Sequence, residues 1–408
     1  MNNIVPHYDV VIVGGGMVGA TLACALDNSG MRVALIEAKK PVNKWPKTGF
    51  DVRVSALTLA TQHIFETLGV WDAIKDRRVS PFREMHVWDS SGGGRIHFDS
   101  AELGEPQLGH IVENRVIVAA LYEKLRTLKH TDLLCPLRLQ SMMLNHDDVQ
   151  LTTAHGQTIS GSLLVGADGG RSWVRQQAHI SVRGWDYEQE AVVTYVKTER
   201  DHQQTAWQRF LPEGPLAFLP LTDGFSSIVW STSPVHAREL LAMDDVGFAT
   251  ELAAAFEHRL GEVQSVGPRA SYPLRFFDAD HYVRPHLALV GDAAHTMHPL
   301  AGQGVNLGLA DVASLAEVLT EAYRDGGRLG AMGTLRRYER WRKSENLAML
   351  ATVDGFQRLF GSQLRVVRWL RSSGMNLTYR LTPVKNSIMR HAMGLEGDLP
   401  KLSRGLTL

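Results

Sequence analysis

The chain has 408 residues, 44% of them hydrophobic, more than one core holds at roughly 150 residues per domain, so two or three packed domains are expected. Lys plus Arg and Asp plus Glu both total 43, a balance that excludes a global field gathering nucleic acid. Cys24 and Cys135 lie far apart with no CxxC or Cys/His cluster, which argues against a disulfide framework and a metal centre and fits a reducing, cytoplasmic compartment.

The polar start (Asn2, Asn3) leaves no room for a secretory leader ahead of the first apolar run. No stretch approaches the ~18 uninterrupted apolar residues of a spanning helix, so any meeting with a membrane is expected at its surface. Residues 8–13 (YDVVIV) read as a short buried strand, followed by glycines, a helix from Met17 to Ser29 and a second buried strand from Arg32 to Glu37, a βαβ opening. Residues 39–50 read as loop and 56–78 as helical. Two strands flanking Ser90–Gly94 predict a hairpin, and a helix follows over 114–128. Alternation over 134–165 ends in the buried strand LLVGAD.

Residues 185–275 change texture. Successive strand patterns (AVVTYVKT, TAWQRFL, LAFLPL, SSIVWST) and one helix near 245–260 predict an inserted, mainly antiparallel β domain. The first pattern returns with the strand HLALVGD, and from 305 onward the chain reads as helical. The expected organisation is a nucleotide-binding domain over 1–184 and 276–345, a substrate domain over 185–275 and a helical C-terminal region over 346–408.

Gly14, Gly16 and Gly19 form GxGxxG between strand and helix, and Glu37 closes the next strand. Gly14 permits the tight turn, Gly16 admits a pyrophosphate close to backbone, and Gly19 lets helix approach sheet. The helix N-terminus favours the phosphate charge, and Glu37 can accept from free ribose hydroxyls, so FAD or NAD is favoured over NADP. The alternative is a glycine-rich turn that binds nothing, against which the ordered strand, helix, strand and terminal acid all weigh.

Two further motifs put a carboxylate at the carboxyl end of a strand, where open α/β sheets bind ligands. One is Gly166-Ala167-Asp168-Gly169, whose acid could instead cap the following helix. The other is Gly291-Asp292-Ala293-Ala294-His295, followed by His298-Pro299-Leu300-Ala301-Gly302-Gln303-Gly304-Val305-Asn306-Leu307-Gly308. These last glycines open a helix whose dipole suits a reduced flavin. His295 and His298 have no third ligand at metal spacing and read as structural or as pocket wall.

With these three motifs, GxGxxG, GADG and GDAAH, the chain resembles the class A flavoprotein monooxygenases, whose fold is that of para-hydroxybenzoate hydroxylase. HPLAGQGVNLGLAD (His298 to Asp311), DVRVSAL (Asp51 to Leu57), LGHIVEN (Leu108 to Asn114) and AFLPL (Ala217 to Leu221) are similar to the ubiquinone-biosynthesis hydroxylases of that class, so the likeness spans nearly the whole chain.

The resemblance implies an α/β fold: a Rossmann-like FAD-binding domain, the inserted β domain and a helical C-terminal region. It implies Gly14, Gly16, Gly19 and Glu37 for the ADP half of FAD, Asp292 for the ribityl chain, and the backbone of Gly302, Gln303, Gly304, Val305 and Asn306 facing the isoalloxazine. Asp168 would bridge cofactor binding and the path of NAD(P)H. Arg53 would lie beside the flavin ring and Pro299 on its reacting face. Either Asn114 or Arg115 opens the helix near the flavin. His298, Trp207, Phe218, Pro220 and Trp230 are candidate walls of the substrate pocket, each alternatively ordinary core.

Flavin chemistry then carries the reaction: the resemblance implies O₂ as co-substrate, a flavin C4a-hydroperoxide and hydroxylation of an electron-rich ring, in an apolar cavity that excludes water. No second GxGxxG follows a strand, so NAD(P)H or another donor would bind transiently. The implied substrate is a polyprenylated phenol or benzoquinol of ubiquinone biosynthesis, with the C5 step preferred and a later quinol step as alternative. A soluble aromatic substrate, or a non-catalytic flavoprotein scaffold, is the remaining reading. From Gly355 to Leu395 stand seven Lys or Arg and no acid among apolar residues, which suits either an anionic lipid surface on the inner face of the membrane or a contact with a second copy or with other proteins of the pathway.

Overall fold

The computed structural model describes residues 5–42, 44–46, 48–90, 93–296, 304–361, 373–379 and 381–408. Strand His7–Val13 pairs in parallel with Val33–Ile36 on one side and Thr158–Gly166 on the other, extended outward by Thr131–Leu134 and Leu287–Leu289. These strands are short apolar runs because helices cover both faces, leaving no solvent side for polar alternation. Helix Met17–Leu26 buries eight of its ten residues. Its small side chains let it sit close to the sheet and to helices Asn114–Leu125 and Gly304–Arg324.

The second sheet has nine strands and is mainly antiparallel, centred on the long strand Val182–Thr198 paired with Phe225–Thr232 and Ala270–Ala279. Here the sequence-based boundaries need correction. The hairpin Glu84–Asp89 and Arg95–Asp99, assigned by sequence to the nucleotide-binding part, forms this sheet's edge through parallel pairing with Thr205–Leu211. His295–Thr296 adds a short strand at the other edge. Hairpins close locally, but which sheet they join is a long-range choice that local pattern does not carry.

The 56–78 segment also differs from a single helix. Val54–Leu57 is a strand of a small three-stranded sheet with Gly109–Glu113 and Ser80–Phe82. Thr58 then caps helix Leu59–Thr67 by accepting from Thr61 N–H, and Gly69, at φ +66°, separates it from helix Trp71–Lys75. Helices Pro234–Ala242 and Asp245–Ala255 cover the outer face of the large sheet, the first of them unforeseen. Among the described residues no helix is long and apolar enough to cross a membrane.

Candidate active site

The glycine turn is fixed by sterics. Gly14 has φ +108°, and a Cβ there would lie 2.4 Å from the Ala167 carbonyl oxygen. A Cβ on Gly19 would stand 1.9 Å from the Gly14 oxygen. Gly15, which the motif treats as variable, is equally constrained: its Cβ would meet Tyr122 Oη at 2.4 Å and Glu37 Cβ at 2.9 Å. Gly16 is different, because no atom of the described residues lies within 4 Å of its would-be Cβ. Among those residues the space above it is open.

Gly16 also begins the helix without any side-chain cap, and the first turn carries no acid. The first hydrogen bond back along the helix runs from Ala20 N–H to the Gly16 oxygen, so the preceding N–H groups point outward with no intrahelical partner. That is a seat for an anion. Glu37 accepts from Gly15 N–H at 2.7 Å and from Lys39 N–H at 2.9 Å, which holds its carboxylate at the rim of the turn.

The seat opens into a cavity of about 390 Å³ that reaches from Gly16 to the large sheet. Asp292, His295, Thr296, Gly304 and Val305 line it, together with Arg53, Ser55 and Asn114. Ala191, Val193, Leu219 and Val229 line the sheet end. Asp292 faces this cavity. Crowding by protein on its other sides pushes its carboxyl up, while His295 and Arg53 act against that shift. Thr296 Oγ is buried in the wall without a hydrogen-bond partner among the described residues, as expected of a group that meets a ligand heteroatom. The Arg53 guanidinium lies 5.5 Å over the ring of Tyr272, which also lines the cavity.

The Asn306 side chain is engaged away from the cavity. Its side chain accepts from Thr58 N–H and Thr61 Oγ and donates to the Ala56 carbonyl, tying the start of helix Gly304–Arg324 to strand Val54–Leu57. Asp168 accepts from Ser172 Oγ at 2.5 Å and Val174 N–H at 3.1 Å, bracing the start of helix Trp173–Gln177 that Ser172 itself caps, and burial raises its carboxyl. Of the two residues competing to open the 114 helix, Asn114 lines the cavity and accepts from Ser55 Oγ. Arg115 instead pairs with Glu113 and covers Trp45. His298, Pro299, Gly302 and Gln303 lie outside the described residues.

Three pocket-wall expectations are overturned. Phe218 (1% exposed) stacks on Phe256 at 3.9 Å, and Trp230 (2% exposed) packs edge-on to His236, both under the outer helices. Pro220, two residues along on the alternation of Phe218, is absent from the cavity lining. Their strand neighbours Leu219 and Val229 form the floor instead. Both faces of these strands are buried, so aromatic identity says nothing about which face meets the ligand; period-2 alternation from Leu219 would have found it. Trp207 stacks on His86 at 4.6 Å and also stays out of the cavity.

Behind the cavity wall, Asp311 is the hub of a buried network. It accepts from Gly291 N–H, His295 Nε2, Arg342 Nε and Asn346 Nδ2. Burial alone would raise its carboxyl, but His295 and Arg342 beside it and the Asn346 hydrogen bond hold it down to about 2. Gly291, at φ +58°, and Gly308 pack directly together, so the Asp292 turn rests on the helix that carries Asp311.

An uncapped helix start, a ribose-side acid and an Asp292-lined cavity make a cradle for an extended dinucleotide. Residues 7–351 match the family model described as FAD binding domain. The chain is 43% identical over 98% of its length to the ubiquinone hydroxylase UbiL of Rhodospirillum rubrum, covering 93% of that protein. It is 40% identical over 95% of its length to the 3-demethoxyubiquinol 3-hydroxylase of Escherichia coli, covering 98% of that protein. The chain belongs to the FAD-dependent hydroxylases of ubiquinone biosynthesis. The human ubiquinone biosynthesis monooxygenase COQ6 is a further relative, at 36% identity over 94% of this chain and 92% of that one. Among solved structures, p-nitrophenol 4-monooxygenase from Pseudomonas putida superposes with a TM-score of 0.79 at 20% identity, covering 96% of this chain and 99% of that one, which shows the shared fold. The family is one of flavoprotein monooxygenases, with FAD as cofactor and O₂ and an electron donor as co-reactants.

Proposed function

We propose that this protein hydroxylates the aromatic ring of a polyprenylated phenol or benzoquinol in ubiquinone biosynthesis. The observation that carries the reading is one cavity with two characters: polar and open at Gly16 and Asp292, apolar at Ala191, Val193, Leu219 and Val229. FAD, when bound, supplies the oxygen-activating chemistry. The residues present fit it: the uncapped helix start would take the pyrophosphate, Glu37 the ribose hydroxyls, Asp292 the ribityl hydroxyls, and Gly304 and Val305 the ring edge. The apolar floor holds the phenol and keeps water from the reacting centre. Arg53, which lines the cavity, would lie beside the flavin ring. Pro299 is assigned to its reacting face on resemblance alone.

With FAD, NAD(P)H and O₂, a short-tailed prenylphenol is expected to gain one oxygen, followed by mass spectrometry, with NMR giving the ring position. The C5 product supports the earlier step. Oxidation at position 3 of a methoxylated quinol supports the second reading, favoured by the 40% identity to a 3-hydroxylase. Arg53→Ala is expected to keep flavin and to shift the electron flow from product to peroxide. Peroxide alone from the unaltered protein, with every phenol offered, overturns the proposal.

The C-terminal region supports a peripheral seat on the inner face of the membrane. Leu377, Tyr379, Leu381, Val384 and Ile388 are all exposed. Of the basic residues there, Lys385 is buried on Glu102 and Arg390 is exposed; Arg365, Arg368, Arg371 and Arg380 lie outside the described residues. Vesicles containing anionic lipid are expected to carry the protein upward in a flotation gradient, less so in high salt. A protein left at the bottom at every lipid composition has no such seat.

A further inference from the structure

A second cavity, of about 140 Å³, adjoins the first. The two share Leu219 as a wall, and consecutive residues of one strand pass from one to the other: Val54 and Ser55 line the first, Ala56 and Leu57 the second. Among the described residues the lining is apolar apart from Thr58, and no charged side chain enters it. Its roof is the C-terminal helix Thr382–Ala392, through Ile388 and Met389. Ile388 also stands 45% exposed to the outside, so the helix forms a mouth and not a seal.

Close-packed interiors hold few voids larger than a water molecule, because lining atoms across a gap lose their dispersion partners. An apolar void is also a poor home for water, which needs polar partners. This one is therefore maintained for an apolar occupant. Met85, Met389 and Met393 contribute to its wall, and their unbranched thioethers adapt to a flexible chain. Sharing the Leu219 wall, the second cavity is placed to take the continuation of a group seated above Leu219 in the first.

We infer that the second cavity holds the first part of the substrate's isoprenoid tail, led from the ring at Leu219 past Met389 to the exterior at Ile388. The inference rests on the proposed function, since it takes the ring to lie in the first cavity. The ring would then be held by its tail as well as by the apolar floor, and a phenol without a tail would lose the larger part of its binding.

The test uses the FAD-loaded protein and two phenols with the same ring, one bearing a two-unit prenyl chain and one a methyl group. Binding is read from the flavin absorbance change, which needs no turnover, and KM is read where turnover occurs. The tailed phenol is expected to bind at least tenfold more tightly. Ala206→Phe, filling the cavity from its floor, and Ile388→Asp, placing a charge at its exposed mouth, are each expected to abolish that preference and leave the methyl phenol within twofold. Ile388→Asp stands alone if Ala206→Phe does not fold. Equal binding of the two phenols to the unaltered protein, or variants that weaken both alike, overturns the inference. Tight tail-dependent binding without hydroxylation would instead count against the proposed reaction while leaving the tail site standing.

Discussion

Gly16→Val is expected to give a folded protein that purifies without flavin. The argument separates two jobs within one motif. Gly16 has φ −70° and ψ −173°, extended backbone that valine adopts readily, and no atom of the described residues lies within 4 Å of its would-be Cβ. Substitution there should leave the stability of the flavin-free protein within about 0.5 kcal/mol, as for an ordinary surface change. The same Cβ projects into the space where a pyrophosphate must approach the helix N–H groups, so FAD affinity should fall on the order of 100-fold or more, about 2.7 kcal/mol. Flavin-free forms must be compared, since bound FAD would itself raise the melting temperature of the unaltered protein. Gly19→Val serves as contrast: its Cβ would overlap the Gly14 oxygen, so it should damage folding as well as binding. A Gly16→Val protein that remains yellow with unchanged FAD affinity would remove the pyrophosphate from this turn.

The contrast between those glycines shows which parts of the site could be read from sequence. The first βαβ unit was legible because each of its constraints is local: the buried strand, the turn and the terminal acid fall within thirty or so residues. The partition into two sheets was legible in outline, since the strand pattern changes near residue 185. The hairpin at 84–99 was assigned to the wrong sheet because its partner, Thr205–Leu211, lies over a hundred residues on. Phe218 and Trp230 failed for a different reason. In a strand buried on both faces, size and aromaticity mark burial but not the direction of burial. Asp311 closes the run from His298, and its role there is not legible in the pattern. An acid inside a helix gives no local sign that its partners, Arg342 and Asn346, arrive from the next helix. Asn306, expected at the flavin through its backbone, has a second task that the motif does not announce: its side chain clamps its helix to the strand that carries Ala56.

Asp311→Asn is expected to be among the most destabilising single changes open to this chain. The carboxylate is fully buried, and Arg342, 2% exposed, has its Nε on it at 3.0 Å. Glu345 and Asn346 take other guanidinium donors, but only Glu345 adds a charge, and it lies at the surface side of the pair. Removing the charge while keeping the shape leaves a buried guanidinium short of compensation, which costs about 3–5 kcal/mol. It also weakens the acceptor for Gly291 N–H, the backbone link that holds the Asp292 turn to helix Gly304–Arg324. Urea unfolding of the flavin-free protein measures the first effect and FAD titration the second.

The same carboxylate predicts the acid behaviour. Held near 2 in the folded protein against an ordinary value of 3.8, it is a group with a depressed folded pKa. Its stabilisation is therefore complete above pH 4 and is lost as the pH falls from about 4 toward 2, a contribution of about 2–3 kcal/mol. Asp311→Asn should lower the stability plateau at neutral pH and flatten its decline across that window. If the variant unfolds at the same urea concentration as the unaltered protein and keeps the same acid slope, then Asp311 is not what fastens the Asp292 turn, and the load passes to the Gly291–Gly308 contact alone.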